Sequence, residues 1–177
     1  VHGAGIAGLD AQAAAQATVE GSLLASYRYD APKQKTEAAH NVESVTIVEF
    51  DGEKMGAIER GKETAVAISH SVILARDLVN LPPNVATPTK LAETAQEIAT
   101  AYGLNITIGG REWAAEHNMG AFLAVAKGAG EEPKFIVLEH NGQRTDLDTI
   151  VLVGKGITFD TGGISIKGAE RMGDMKS

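Results

Sequence analysis

The sequence predicts an α/β fold in two parts. A partial N-terminal α/β domain occupies residues 1–83. A long helix joins it to a second α/β domain, with a mostly parallel sheet, over residues 84–177. Three observations carry this. Strand-patterned and helix-patterned segments alternate after residue 84, and helices that alternate with strands cover a largely parallel sheet. Leu81-Pro82-Pro83-Asn84 interrupts the chain between the two parts, since proline cannot continue a helix and pushes its predecessor out of the α region. Hydrophobic residues make up 44% of the chain and charged residues 22%, as in an ordinary globular protein with a core.

Taken in order, Ala11–Ala25 is rich in alanine, the best helix former, and is expected as a helix packed on a sheet. Tyr27 and Tyr29 follow it and are expected to pack in or at the edge of the core. Asp30–Asn41, with Pro32, reads as a surface loop. Ser44–Phe50 (SVTIVEF) alternates with β-branched residues and reads as a strand. A long helix is expected from about Glu63 to Asn80. Val66, Ile73 and Leu78, with Val72, Ala75 and Val79, line one broad apolar face on it. Beyond the prolines, Thr87 caps a new helix with Pro88 at its first position. Leu91, Ala95, Ile98, Ala99 and Tyr102 form its stripe, and Gly103 ends it. Leu104–Ile108 is a strand, Arg111–His117 and Met119–Ala126 are helical, and Lys134–Glu139 and Thr149–Val153 are strands. Lys127-Gly128-Ala129-Gly130 is a connecting turn. From Glu170 the chain turns helical again.

Composition excludes several classes. A net charge of −7 and a pI near 5.2 argue against a nucleic-acid surface on this stretch. No run approaches the ~18 apolar residues of a membrane span. With no cysteine there is neither a disulfide nor a thiolate metal site. The chain opens at Val1 with no basic segment before an apolar stretch, so no signal peptide is visible, and both ends look cut.

The chemistry concentrates in Val153–Lys167, VGKGITFDTGGISIK. Two lysines, Lys155 and Lys167, flank Asp160 in a glycine-rich loop that follows the apolar run Ile150–Val153. Ligands of open α/β folds bind beyond strand ends. Glycine lets the backbone approach a ligand closely. A carboxylate beside Gly162 and Gly163 has room to bridge metal ions, and oxygen ligands suit Mg, Mn and Zn. The plainer reading of Asp160 is a loop-capping carboxylate on backbone amides. Two other motifs fail. A phosphate loop would need Gly at Thr149 and Ser or Thr at Gly156. Asp160-Thr161-Gly162 matches the aspartic-protease triplet, but it occurs once, so only a homodimer could pair two carboxylates, and the nearby lysines oppose a shared proton. His2, His40, His70, His117 and His140 show no metal-ligand spacing. Arg76-Asp77 reads as a solvated or interdomain ion pair.

The loop resembles the signature of the leucyl (cytosol) aminopeptidase family. Further similarity lies in Arg76–Pro88 (RDLVNLPPNVATP), in Met119–Val125 with Lys127-Gly128, and in Met172–Lys176, all in the family's order. Residues before Ala75 match only loosely, through Ser22–Asp30. The resemblance implies a truncated metallopeptidase domain and a dinuclear, metal-dependent hydrolase that removes N-terminal, leucine-like residues from peptides. It also implies a cytoplasmic homo-oligomer, a hexamer in this family, with two divalent ions (Zn or Mn), and with bicarbonate in the full-length enzyme. Carried over by residue, Lys155 is similar to a metal-ligating amine, Asp160 to the carboxylate that bridges both metals, and Lys167 to the catalytic lysine on the substrate carbonyl. Met175 is similar to a residue lining the pocket for the N-terminal side chain. The family's remaining ligands would follow Ser177, so the chain carries part of a site. Some members of the family add a regulatory or DNA-binding role, against which the acidic balance of this stretch argues.

Overall fold

A computed structural model describes residues 8–29 and 42–176, and the chain divides into two compact units, Val1–Asn80 and Leu81–Ser177. The expected loop at 30–41, with His40, and the residues His2 and Ser177 lie outside the described residues.

The first unit is built on two helices. Helix α1 spans Ala11–Ala25, where Asp10 accepts the Ala13 amide at 2.7 Å as N-cap. A 3-10 turn at Gly52–Lys54, capped by Asp51, leads into helix α2, Met55–Asn80. Helix α1 packs along α2 rather than on a sheet. The reason lies in small side chains. Ala14 and Ala15 on α1 are buried, as are Ile58, Gly61, Ala65 and Ser69 on α2. A Cβ on Gly61 would sit 2.3 Å from the Gln12 carbonyl oxygen, so the two backbones meet there. The buried stripe of α2 is therefore this one, and the larger Val72, Ile73 and Leu78 are only half covered, with Val79 exposed. Helix α2 also starts earlier than expected: Gly56 and Gly61 hide its first turns from a propensity reading, and Gly61 serves the crossing.

At the far end of this helix pair, Tyr27 donates its hydroxyl to Asp77 at 2.8 Å and accepts from the Asn80 amide at 3.1 Å. The Arg76 guanidinium lies 5.4 Å from the Tyr27 ring centre and donates to the Leu24 carbonyl. Arg76 and Asp77 thus both meet Tyr27 and tie the end of α1 to the end of α2. Burial and the Asp77 carboxylate push the Tyr27 phenol above its ordinary value.

The second unit follows the predicted element order more closely. Helix α3, Pro88–Tyr102, starts at Thr87, whose hydroxyl accepts the Lys90 amide at 3.2 Å, and ends at Gly103 in the left-handed conformation (φ 64°). Its buried face is Ala92, Thr94, Ala95 and Ala99, with Leu91 and Ile98 half-buried, while Tyr102 is exposed. Strand β1, Asn105–Gly109, pairs with strand β2, Phe135–Glu139, from Asn105↔Glu139 to Gly109↔Phe135. Helices α4, Arg111–Glu116, and α5, Gly120–Ala126, lie between them in sequence. Trp113 stacks on Phe135 and Phe122 meets Phe135 edge-on, which seats both helices on the ladder. The Arg111 guanidinium donates to the carbonyls of Ala126, Ala129 and Glu131, closing the turn at Lys127–Gly130.

The mostly parallel sheet expected from the sequence is not seen. Among the described residues the sheet has two strands and they are antiparallel. Two short helices packed on one another connect them, so the chain doubles back once more than a single crossover helix would require. Ser44–Phe50 and Thr149–Val153 are not strands either. Their residues favour extended backbone, but a ladder needs a neighbour to take its N–H and C=O groups. Leu152 and Val153 are 93% and 92% exposed. The final helical turn is a short 3-10 segment, Met172–Lys176.

Candidate active site

The loop from Asp160 to Lys167 folds back on itself. The Lys167 amide donates to the Thr161 carbonyl at 2.8 Å, and the Asp160 amide donates to the Met175 carbonyl at 3.0 Å. The 3-10 segment is thereby stitched against the loop. Gly162 and Gly163 adopt left-handed φ values of 89° and 65°, a region that glycine enters without strain. That turn brings Lys167 back over Asp160.

Asp160 is held at both oxygens. Oδ1 accepts the Gly162 amide at 3.0 Å, and Oδ2 accepts the Lys167 ammonium at 3.0 Å. The loop-capping reading of this residue therefore holds at Oδ1, while Oδ2 pairs with the lysine. The Lys167 hydrogen bond, then the Gly162 amide and the Lys167 charge, hold the Asp160 carboxyl below the usual carboxylate range. Lys155 adds the smallest pull in the same direction. Both side chains of the pair are about half exposed, so the contact is open to incoming groups. Lys167 Nζ also lies 3.0 Å from the Met175 thioether sulfur.

Three of the four site residues named from the sequence, Asp160, Lys167 and Met175, are thus brought together. Lys155 makes no hydrogen bond to any of them; it sits exposed, and only its charge reaches Asp160. A carboxylate is a ligand type that divalent cations accept. Asp160 Oδ2 is taken by the Lys167 ammonium, and Lys155 lies five residues upstream without a bond to Asp160. Among the described residues no group of three or more His, Asp or Glu side chains could hold a metal ion. His117 stacks on Trp113 at 4.0 Å and bonds to the Trp113 carbonyl, which accounts for it as a packing residue. Sequence reasoning missed the parts played by backbone groups: the Gly162 amide, the Thr161 carbonyl and the Met175 carbonyl. The adjacent glycines were the available signal.

Comparison with known proteins bears on the same segment. Residues 73–177 match the cytosol aminopeptidase family, catalytic domain. A probable cytosol aminopeptidase of Roseiflexus castenholzii is 46% identical over 164 residues, covering 92% of this chain and 33% of that protein. The cytosol aminopeptidase of Pseudomonas aeruginosa is 41% identical over 172 residues, covering 97% and 34%. The chain spans about a third of the length of these curated relatives. Among solved structures, the bottromycin maturation enzyme BotP in complex with Mn matches with a TM-score of 0.81 and 30% identity, over 98% of this chain and 34% of that one. A tomato leucine aminopeptidase variant matches with a TM-score of 0.58 and 32% identity, over 73% and 26%. With the glycine loop, its carboxylate–lysine pair and the whole of residues 73–177 inside the match, the chain belongs to the cytosol aminopeptidase family.

Proposed function

We propose that the full-length protein is a dinuclear metal-dependent aminopeptidase acting on leucine-like N-terminal residues, and that this chain supplies part of its active site. The observation that carries the reading is the Asp160–Lys167 pair, a carboxylate and an ammonium 3.0 Å apart within the family-matched segment. Asp160 and Lys155 would hold the metal, the second as a neutral amine. Two bridged divalent ions, when bound, supply a nucleophile at neutral pH and polarise the scissile carbonyl. Zn or Mn is the expected metal, and the Mn in the BotP complex supports this choice.

Lys167 does the work of this chain's own residues in the reaction. Its ammonium is placed to meet negative charge developing on the substrate carbonyl oxygen, a contact that is stronger in the transition state than in the ground state. The Thr161 carbonyl fixes the Lys167 backbone amide, and Asp160 Oδ2 and the Met175 sulfur limit where the ammonium can go. Met175 also lines the expected position of the N-terminal side chain. We place the domain boundary at residue 84, and Thr149–Val153 in a mostly parallel sheet completed by the rest of the catalytic domain. A cytoplasmic homohexamer acting on peptides with free N-termini, with bicarbonate as a further component, fits the family. The test is hydrolysis of a leucyl anilide by the full-length protein supplied with Mn or Zn. Turnover that needs the added metal and a free substrate amine is expected. No hydrolysis with either metal overturns the proposal.

A further inference from the structure

We propose that Gly162 is a positioning residue for Lys167: its missing side chain is the space that lets the lysine return over Asp160. This rests on the role given to Lys167 above. A Cβ built on Gly162 would lie 2.4 Å from the Ser165 carbonyl oxygen, 3.2 Å from the Lys167 amide nitrogen and 3.1 Å from Lys167 Cγ. A side chain at 162 would clash first with the Ser165 carbonyl and would also press on the stem and amide of the lysine, which would have to give way. Gly162 also donates its amide to Asp160 Oδ1, which turns Oδ2 toward the ammonium. One residue thus sets both ends of the 3.0 Å pair.

The neighbouring glycine provides an internal control. Gly163 also has a left-handed φ, yet a Cβ there would meet nothing within 4 Å. Strain from φ is common to both positions, and steric pressure on Lys167 belongs to Gly162 alone. Asparagine enters the left-handed region more readily than most other residues, so Asn substitutions reduce the shared strain and leave the contact as the difference. Asp160 remains anchored through its own amide to the Met175 carbonyl in either variant. The ammonium should move further than the carboxylate, whose backbone keeps that anchor.

The experiment compares Gly162→Asn with Gly163→Asn in the full-length protein, with the corresponding Ala pair as a second set. Three readouts are taken: kcat and KM on a leucyl anilide at saturating Mn, Mn affinity, and labelling of the Lys167 amine by an acylating reagent, read by peptide mass spectrometry. For Gly162→Asn, kcat should fall ~10–100-fold, the range a misplaced catalytic group produces. KM and Mn affinity should stay within about three-fold, since uniform binding is untouched. Lys167 labelling should rise several-fold without added metal, and Gly163→Asn should show a clearly smaller loss of kcat and a clearly smaller rise in labelling. Equal effects at 162 and 163 would overturn the proposal. So would folded Gly163 variants beside Gly162 variants that never fold, because the contact would then serve stability alone. Because labelling needs no turnover, a parent that hydrolyses nothing but still shows the labelling contrast would sink the enzyme reading and keep the positioning one.

Discussion

At the scale of single residues, charge and its partners decide what each group can do. Lys155 and Lys167 are chemically alike, yet the second is bonded to Asp160 and Met175 while the first stands in the open. In the full-length protein, Lys155→Ala should weaken Mn binding by an order of magnitude or more. Lys167→Ala should keep the metal and lose roughly 100-fold or more in kcat, the cost of removing one donor to a developing oxyanion. Metal content and turnover measured on both variants check the assignment, and loss of metal from the Lys167 variant alone would reverse it. A second prediction concerns Glu132. Its hydrogen bond with Lys134, then the Arg111 amide, hold its carboxyl below the usual value. A carboxyl lowered by folding stabilises the fold fully above the ordinary Glu range, and that contribution is lost as pH falls through the lowered value. A carboxyl NMR titration should find Glu132 below the other glutamates. Lys134→Met should raise it, and an unchanged titration would refute the pairing.

At the scale of elements, the helices were legible where their signals are local. Thr87, Pro88 and Gly103 bound α3 as their chemistry requires, and Asp10 starts α1. Buried faces were less legible. Large apolar residues suggested the contact face of α2, but the helix crossing selects small ones, because only they let the backbones approach. This makes opposite predictions for two glycines on one helix. Gly56→Ala meets nothing closer than 3.7 Å and should stabilise by up to ~1 kcal/mol through helix propensity. Gly61→Ala drives a methyl into the Gln12 carbonyl, which is backbone and cannot swing aside, and should destabilise by ~1–3 kcal/mol despite the same propensity gain. Urea unfolding of both variants decides it, and effects of the same sign would remove the close crossing from the account.

At the scale of the whole molecule, function depends on groups from distant parts of a fold. A tight site for two divalent ions needs several carboxylates to balance four positive charges. This chain offers Asp160 and one amine that must first lose its proton, with no cluster of three acidic or histidine side chains among the described residues. The 177-residue chain alone should therefore show no leucyl-peptide hydrolysis and only weak binding of Zn or Mn. Calorimetry with each ion tests this, and a two-site isotherm tighter than micromolar, accompanied by hydrolysis, would show that the ligands lie elsewhere.

The sequence by itself determined what depends on neighbours along the chain. It placed the caps of α3, the span of α1, the turn at Lys127–Gly130, the glycine loop and the identity of its charged groups, and through that loop the family. Only the tertiary structure decided which groups meet. It put Lys167 rather than Lys155 on Asp160, brought Met175 to both of them, turned α1 onto α2 instead of a sheet, and ran β2 antiparallel to β1. It also left Ser44–Phe50 and Thr149–Val153 outside any strand despite their strand-like residues. The physical reason is the same in each case. Propensity and capping act within a few residues, whereas a ladder, a helix crossing or an ion pair is completed by atoms that the chain brings together only on folding.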